Sequence, residues 1–115
     1  MENITDFIDV EDGLRRVRGS KALYAKMLSM FMAGKEISYL EESLAANDIA
    51  SAADIAHALK GAAANLSLIA FSKACTALME SLQAGSLDEN IIARYRDILE
   101  QTLIQVEDTR RQLEA

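Results

Sequence analysis

Apolar residues recur at helical spacing along most of the chain, and no proline interrupts them. Proline stops a helix sharply, because its ring fixes φ and removes an amide donor. Its absence from 115 residues, with only five glycines, points to long helices joined by short turns. Ala, Leu, Ile and Glu dominate the composition, which favours helix and disfavours a sheet with many turns.

Start and stop signals divide the chain into one short helix and four longer ones. Asp9 is placed to cap a short helix running to about Val17, with Glu11 and Asp12 in its first turn. Ser20 caps a long helix reaching about Ala46. One apolar line on it runs Leu23, Met27, Met30, Ile37, Leu40, Leu44, and a second runs Tyr24, Leu28, Phe31. Gly34 is either a bend or a small residue at a close helix contact. Asn47 or Asp48 caps the next helix, which frays near Leu66 to Leu68. A further helix places Phe71, Ala74, Cys75, Leu78 and Leu82 on one face, and Gly85 suits its left-handed end. Ser86-Leu87-Asp88-Glu89 reads as a capping box for the last helix. That helix turns Ile92, Tyr95, Leu99, Leu103, Val106 and Leu113 inward. Four amphipathic helices with short connections predict an all-α fold. It is an antiparallel up-down-up-down four-helix bundle with a short extra N-terminal helix, a single domain over 1–115.

The formal net charge of −6 argues against nucleic acid, which needs a basic face, and disfavours an anionic membrane surface. Cys75 is the only cysteine, so no internal disulfide can form, which fits a reducing compartment. No basic start followed by an apolar run marks a signal peptide, and no apolar stretch approaches about 18 residues. A cytoplasmic protein is expected.

His57 is the only histidine. At about 100° per residue, Ile49, Ala52, Ile55, Ala56, Leu59, Ala63 and Leu66 share one arc of its helix. His57 lies nearly opposite, among Ala50, Ala53, Gly61 and Ala64, with Lys60 at the edge. The imidazole thus points outward with little beside it. Gly61 follows one turn later, although glycine in a helix interior costs roughly 1 kcal/mol relative to alanine. That gap leaves room for a partner backbone or a phosphoryl group. Lys60 at i+3 can reach a phosphate oxygen.

Other chemistries fit poorly. A zinc or iron site needs three or four ligands, and there is no second His or Cys. The Glu-x-x-His pairs of a bundle di-iron site are absent. Cys75 falls on an apolar helix face, as a core residue rather than a nucleophile. No phosphate-cradling glycine loop is present, so any phosphate on His57 must come from one protein and pass to another.

The run His57-x-Leu59-Lys60-Gly61-x-Ala63-x-x-Leu66 resembles the signature of histidine-containing phosphotransfer (HPt) domains of bacterial phosphorelays. Ile8-Asp9 through Gly13-Leu14, then Tyr24, Leu28 and Phe31, resemble that family's N-terminal segment, so the likeness covers nearly the whole chain. Asn47-Asp48 and Gly85 to Glu89 resemble its turns. The chain departs at Ser67, where the family often has glycine. It also lacks a proline often found in the first long helix, which implies a straighter helix here.

The resemblance implies that His57 is the phospho-acceptor and donor, through the ring nitrogen farther from the backbone. Lys60 would steady the phosphoryl oxygens. Gly61 would give clearance, and Ala53 and Ala64 would belong to the docking surface. The partners would be response-regulator receiver domains and a sensor (hybrid) histidine kinase. Mg²⁺ is expected on the receiver, and this chain, a monomer, is expected to hold no cofactor. Neutral imidazole is a competent nucleophile near neutral pH, and phosphoryl transfer asks mostly for positioning and charge neutralisation. The chain is thus expected to be a phosphocarrier rather than an autonomous enzyme. The competing reading is a helical module that binds or inhibits a receiver or kinase without being phosphorylated. A kinase-type dimerisation domain fits less well, because Ala58 follows His57. A purely structural bundle leaves the His–Gly stripe unexplained. An exposed His57 ring, outside the core, is what the carrier mechanism requires.

Overall fold

The computed structural model describes residues 7–115, and every regular element among them is a helix. The expectation about a signal peptide falls largely on residues 1–6, outside the described residues. The helices are α1 (Val10–Arg16), α2 (Lys21–Ala33), α3 (Glu36–Ala45), α4 (Ile49–Asn65), α5 (Ile69–Gln83) and α6 (Glu89–Glu114). α4 packs on α3 and α5, α5 on α6, and α6 on α2, while α1 lies on α2. Because α2 and α3 are successive, these contacts close into a helical bundle. No helix among the described residues is long and apolar enough to cross a membrane.

The expected single helix from Ser20 to Ala46 is two helices. α2 ends at Gly34, whose φ −65° and ψ 152° are extended, and α3 starts after Lys35 without a side-chain cap. Gly34 is therefore the bend, and the straighter helix implied by the missing proline is not formed. Glycine is the weakest helix former after proline. A β-carbon there would also lie 2.7 Å from Glu36 Oε2. The two apolar lines of this stretch part company as well. Tyr24, Leu28, Leu40 and Leu44 are buried, whereas Leu23 is exposed and Met30 is 64% exposed.

Four junctions share one turn. Arg18, Asn47, Ser67 and Gly85 each follow a helix with φ between 54° and 83°. In each, the next amide bonds back five residues: Gly19 N to Leu14 O at 2.7 Å, Asp48 N to Ser43 O at 2.9 Å, Leu68 N to Ala63 O at 2.9 Å, Ser86 N to Ser81 O at 3.1 Å. This left-handed closure satisfies carbonyls that a helix end leaves free. Asp9, Ser20 and Asp48 cap α1, α2 and α4 through their side chains. The capping box at Ser86 is not formed. Asp88 caps α6 instead, accepting from Asn90 N at 2.9 Å and Ile91 N at 3.2 Å. With the helix starting at Glu89, the free first-turn amides are those of Asn90 and Ile91, which Asp88 reaches as N-cap and Ser86 does not.

The core is built around Leu28, Leu40, Leu68, Phe71, Leu78, Leu82, Tyr95 and Val106, all essentially inaccessible. Phe71 meets Phe31 edge-on and Tyr95 at a tilt, with ring centroids 5.7 Å apart in both pairs. On α6 the buried line is Ile92, Tyr95, Ile98, Thr102, Val106, Thr109. Leu99, Leu103 and Leu113, expected inward, are only half-buried. Thr102 can sit in the core because its hydroxyl donates to Ile98 O at 2.6 Å.

Candidate functional site

α4 is held at both ends. Asp48 accepts from Ser51 N at 3.2 Å at its start. At its end, Tyr24 Oη donates to Leu66 O at 2.7 Å, a buried bond. Ser67 then takes φ 60°, and its carbonyl accepts from Asp9 N at 2.9 Å. The Ser67 hydroxyl donates to Asp12 Oδ2 at 2.6 Å. That bond, followed by Arg16, holds the Asp12 carboxyl below its usual range. The departure at Ser67 therefore keeps the left-handed turn and adds a bond that glycine could not make. α1 is fastened by it to the end of α4.

Between these anchors, α4 buries Ala52, Ala56, Leu59 and Ala63. His57 is exposed, and its ring has no hydrogen-bond or ion-pair partner among the described residues. Gly61 and Ala64 are exposed beside it, and a β-carbon on Gly61 would meet nothing within 4 Å. Lys60 is half-buried at the edge of this face, and Asp54, one turn before His57, is exposed. Ala53 is the exception. It is only 9% exposed and belongs to the core cluster. Its methyl offers little docking surface, because the packed side of α4 is wider than a regular 100° projection suggests. The structure thus brings His57, Lys60, Gly61 and Ala64 to one face and leaves Ala53 beneath its rim.

Two neighbours of that face were not legible in the sequence. Ala58, Leu59, Ala62, Asn65 and Leu66 form one wall of a groove of about 360 Å³, and Met27, Met30, Phe31 and Ile37 form the other. The break at Gly34, read as open between two alternatives, shapes this groove. On the opposite flank, the Ser72 hydroxyl of α5 donates to Lys60 O at 3.2 Å. A serine within a helix gives no pattern that announces such a bond. Lys73, its neighbour, lines a different groove, between α5 and α6, with Arg94 and Ile98. Cys75 is inaccessible, and burial pushes its thiol up to about 12, so it is no nucleophile at neutral pH. Among the described residues, no group of three His, Cys, Asp or Glu side chains could hold a metal ion.

The fold and the site define a class: a helical bundle domain with one exposed imidazole on a small-residue helix face, outside the core and flanked by a lysine. The Hpt domain family model matches residues 26–113 of the chain. The protein belongs to the Hpt domain family, whose members act in phosphotransfer in two-component signalling and interact with receiver domains and kinases. No curated protein and no solved structure matches the chain.

Proposed function

We propose that the protein is a phosphocarrier of a multistep phosphorelay, with His57 accepting a phosphoryl group from one receiver-domain aspartate and donating it to another. The observation that carries this reading is the free, exposed His57 ring beside a glycine with open space above it. The lone pair of the ring nitrogen farther from the backbone forms the P–N bond. The P–O bond to the aspartate breaks, and its electron pair leaves on the carboxylate. In the reverse step a carboxylate of the next receiver attacks phosphorus and the imidazole leaves. Lys60 steadies the phosphoryl oxygens as a mobile point charge. Gly61 and Ala64 let the receiver surface approach the ring. Mg²⁺, held by the receiver, supplies the remaining charge neutralisation.

The connections between α3, α4, α5 and α6 span only a few residues. Such links favour antiparallel neighbours, and we read the bundle as up-down-up-down with α2 and α3 as one broken arm. A reduced, buried Cys75 fits a monomer working in the cytoplasm. A hybrid kinase is the expected source of the phosphoryl group, through its receiver domain.

The test is to mix the protein with a receiver domain carrying labelled aspartyl phosphate and to follow acid-labile label on the chain. Wild type should take up label and His57→Gln should not. Binding without labelling, across the receivers of the source organism, would leave the unphosphorylated interaction module as the reading.

A further inference from the structure

The His57 helix has few large, fully buried side chains to fix its rotation. Ala52, Ala53, Ala56 and Ala63 are its small buried residues, and among the buried positions of α4 itself only Leu59 is large. Alanines permit close approach, and α4 and α5 share the most extensive helix–helix interface of the fold. Between its anchored ends, with Ile49 and Ile55 packing on the core in its first half, α4 meets α5 near the site mainly through methyl groups, which interlock less than larger side chains. Rotation matters here because both His57 and Lys60 act through the direction they point.

One polar link crosses this interface beside the site. The Ser72 hydroxyl donates to Lys60 O at 3.2 Å, while Thr76, one turn on, donates to Ser72 O at 3.0 Å. Ser72 and Lys60 are both half-buried, so water competes with the bond less than it would at an open surface. The carbonyl it grips belongs to the residue that would steady the phosphoryl group. We infer that Ser72 is a positioning residue for phosphotransfer: its hydroxyl fixes the Lys60 turn of α4 on α5, so that the Lys60 ammonium meets the phosphoryl oxygens when His57 meets phosphorus. This inference rests on the phosphocarrier reading. Ser72 itself touches no reacting atom and acts through Lys60.

The role separates rate from docking. The surface that a receiver meets, at Gly61 and Ala64, is unchanged by Ser72→Ala. Single-turnover transfer from a labelled phospho-receiver should therefore fall roughly fivefold at saturation, the effect of one hydrogen bond on a transition state. The half-saturating receiver concentration should stay the same. Ser72→Thr, which keeps a hydroxyl, should restore the rate. In a Lys60→Ala background, Ser72→Ala should cost less than in wild type, because one of the two groups it positions is gone.

Wild-type rate in Ser72→Ala would overturn the inference. So would an equal loss in both backgrounds, or a loss appearing only as weaker half-saturation, since a merely structural residue would give either. Thermal melts of each variant check folding, and Ser72→Thr keeps the comparison available if Ser72→Ala is unstable. The two claims fail differently. Wild type that takes no label removes the carrier reading and this one with it, whereas wild type that labels but shows an additive cycle removes only the role of Ser72.

Discussion

Gly13→Ala sets two opposed effects against each other, and the structure says which prevails. Gly13 lies inside α1, where alanine is intrinsically favoured by about 1 kcal/mol. On propensity alone the substitution stabilises. Gly13 is buried, however, and a β-carbon would press into the Tyr24 ring, 2.7 Å from Cε1 and nearer still to Cζ and the hydroxyl. Tyr24 is itself 1% exposed and cannot swing into solvent freely. Forcing a carbon into a filled site costs about 1–3 kcal/mol. A displaced ring also loses the bond to Leu66 O, and a carbonyl left without its partner adds about 1–3 kcal/mol. The expected net is a destabilisation of about 1–5 kcal/mol, or roughly 4–20 °C in Tm for a domain of this size.

Urea unfolding followed by far-UV circular dichroism measures it. Tyr24→Phe, which removes only the hydroxyl, should cost about 1–2 kcal/mol. Gly13→Ala should then cost less in the Tyr24→Phe background than in wild type, because the bond is lost only once. Leu66 lies nine residues beyond His57, about 13 Å along the helix, so transfer measured well below the melting range should be unchanged. A Gly13→Ala protein more stable than wild type would show that α1 does not lie against Tyr24 as described.

Gly61→Ala should do the reverse. Nothing lies within 4 Å of the new β-carbon, so stability should rise by up to about 1 kcal/mol while transfer from a phospho-receiver falls. Unimpaired transfer would mean that Gly61 gives no needed clearance. Ser67→Ala should change the response to acid. The Asp12 carboxyl is held below 3.8, first by the Ser67 hydroxyl and then by Arg16. A depressed folded pKa contributes stability above the ordinary carboxylate range and loses it as pH falls through the lower folded value. The gap between wild type and Ser67→Ala should thus shrink as pH drops below 3.8; a gap constant with pH would contradict the bond. Tyr95→Phe should be neutral or stabilising by roughly 1 kcal/mol, because the buried Tyr95 hydroxyl has no partner among the described residues. A clear loss of stability would reveal one.

The parts of this fold legible in the sequence are those set by local chemistry. Asp9, Ser20 and Asp48 cap where a short polar side chain precedes an apolar run, and Gly85 closes α5 with φ 83°. His57 and Gly61 are exposed because helical periodicity alone places them opposite Leu59 and Ala63. What was not legible depends on neighbours that only the fold supplies. Ala53 is covered by packing beyond its own arc. Thr102 and Thr109 are buried, and Thr102 returns its hydroxyl to its own helix at Ile98 O, so their polarity misleads a pattern of apolar residues. Ser67 holds a conformation that favours glycine through Asp12 of α1 and its cap residue Asp9, both more than fifty positions away. Gly13 and Gly61 make the difference plain. Each sits within a helix and would be replaced by alanine on propensity alone. One is required by a tyrosine pressed against it and the other is met by empty space, so the glycine that packing does not explain is the one beside the exposed His57.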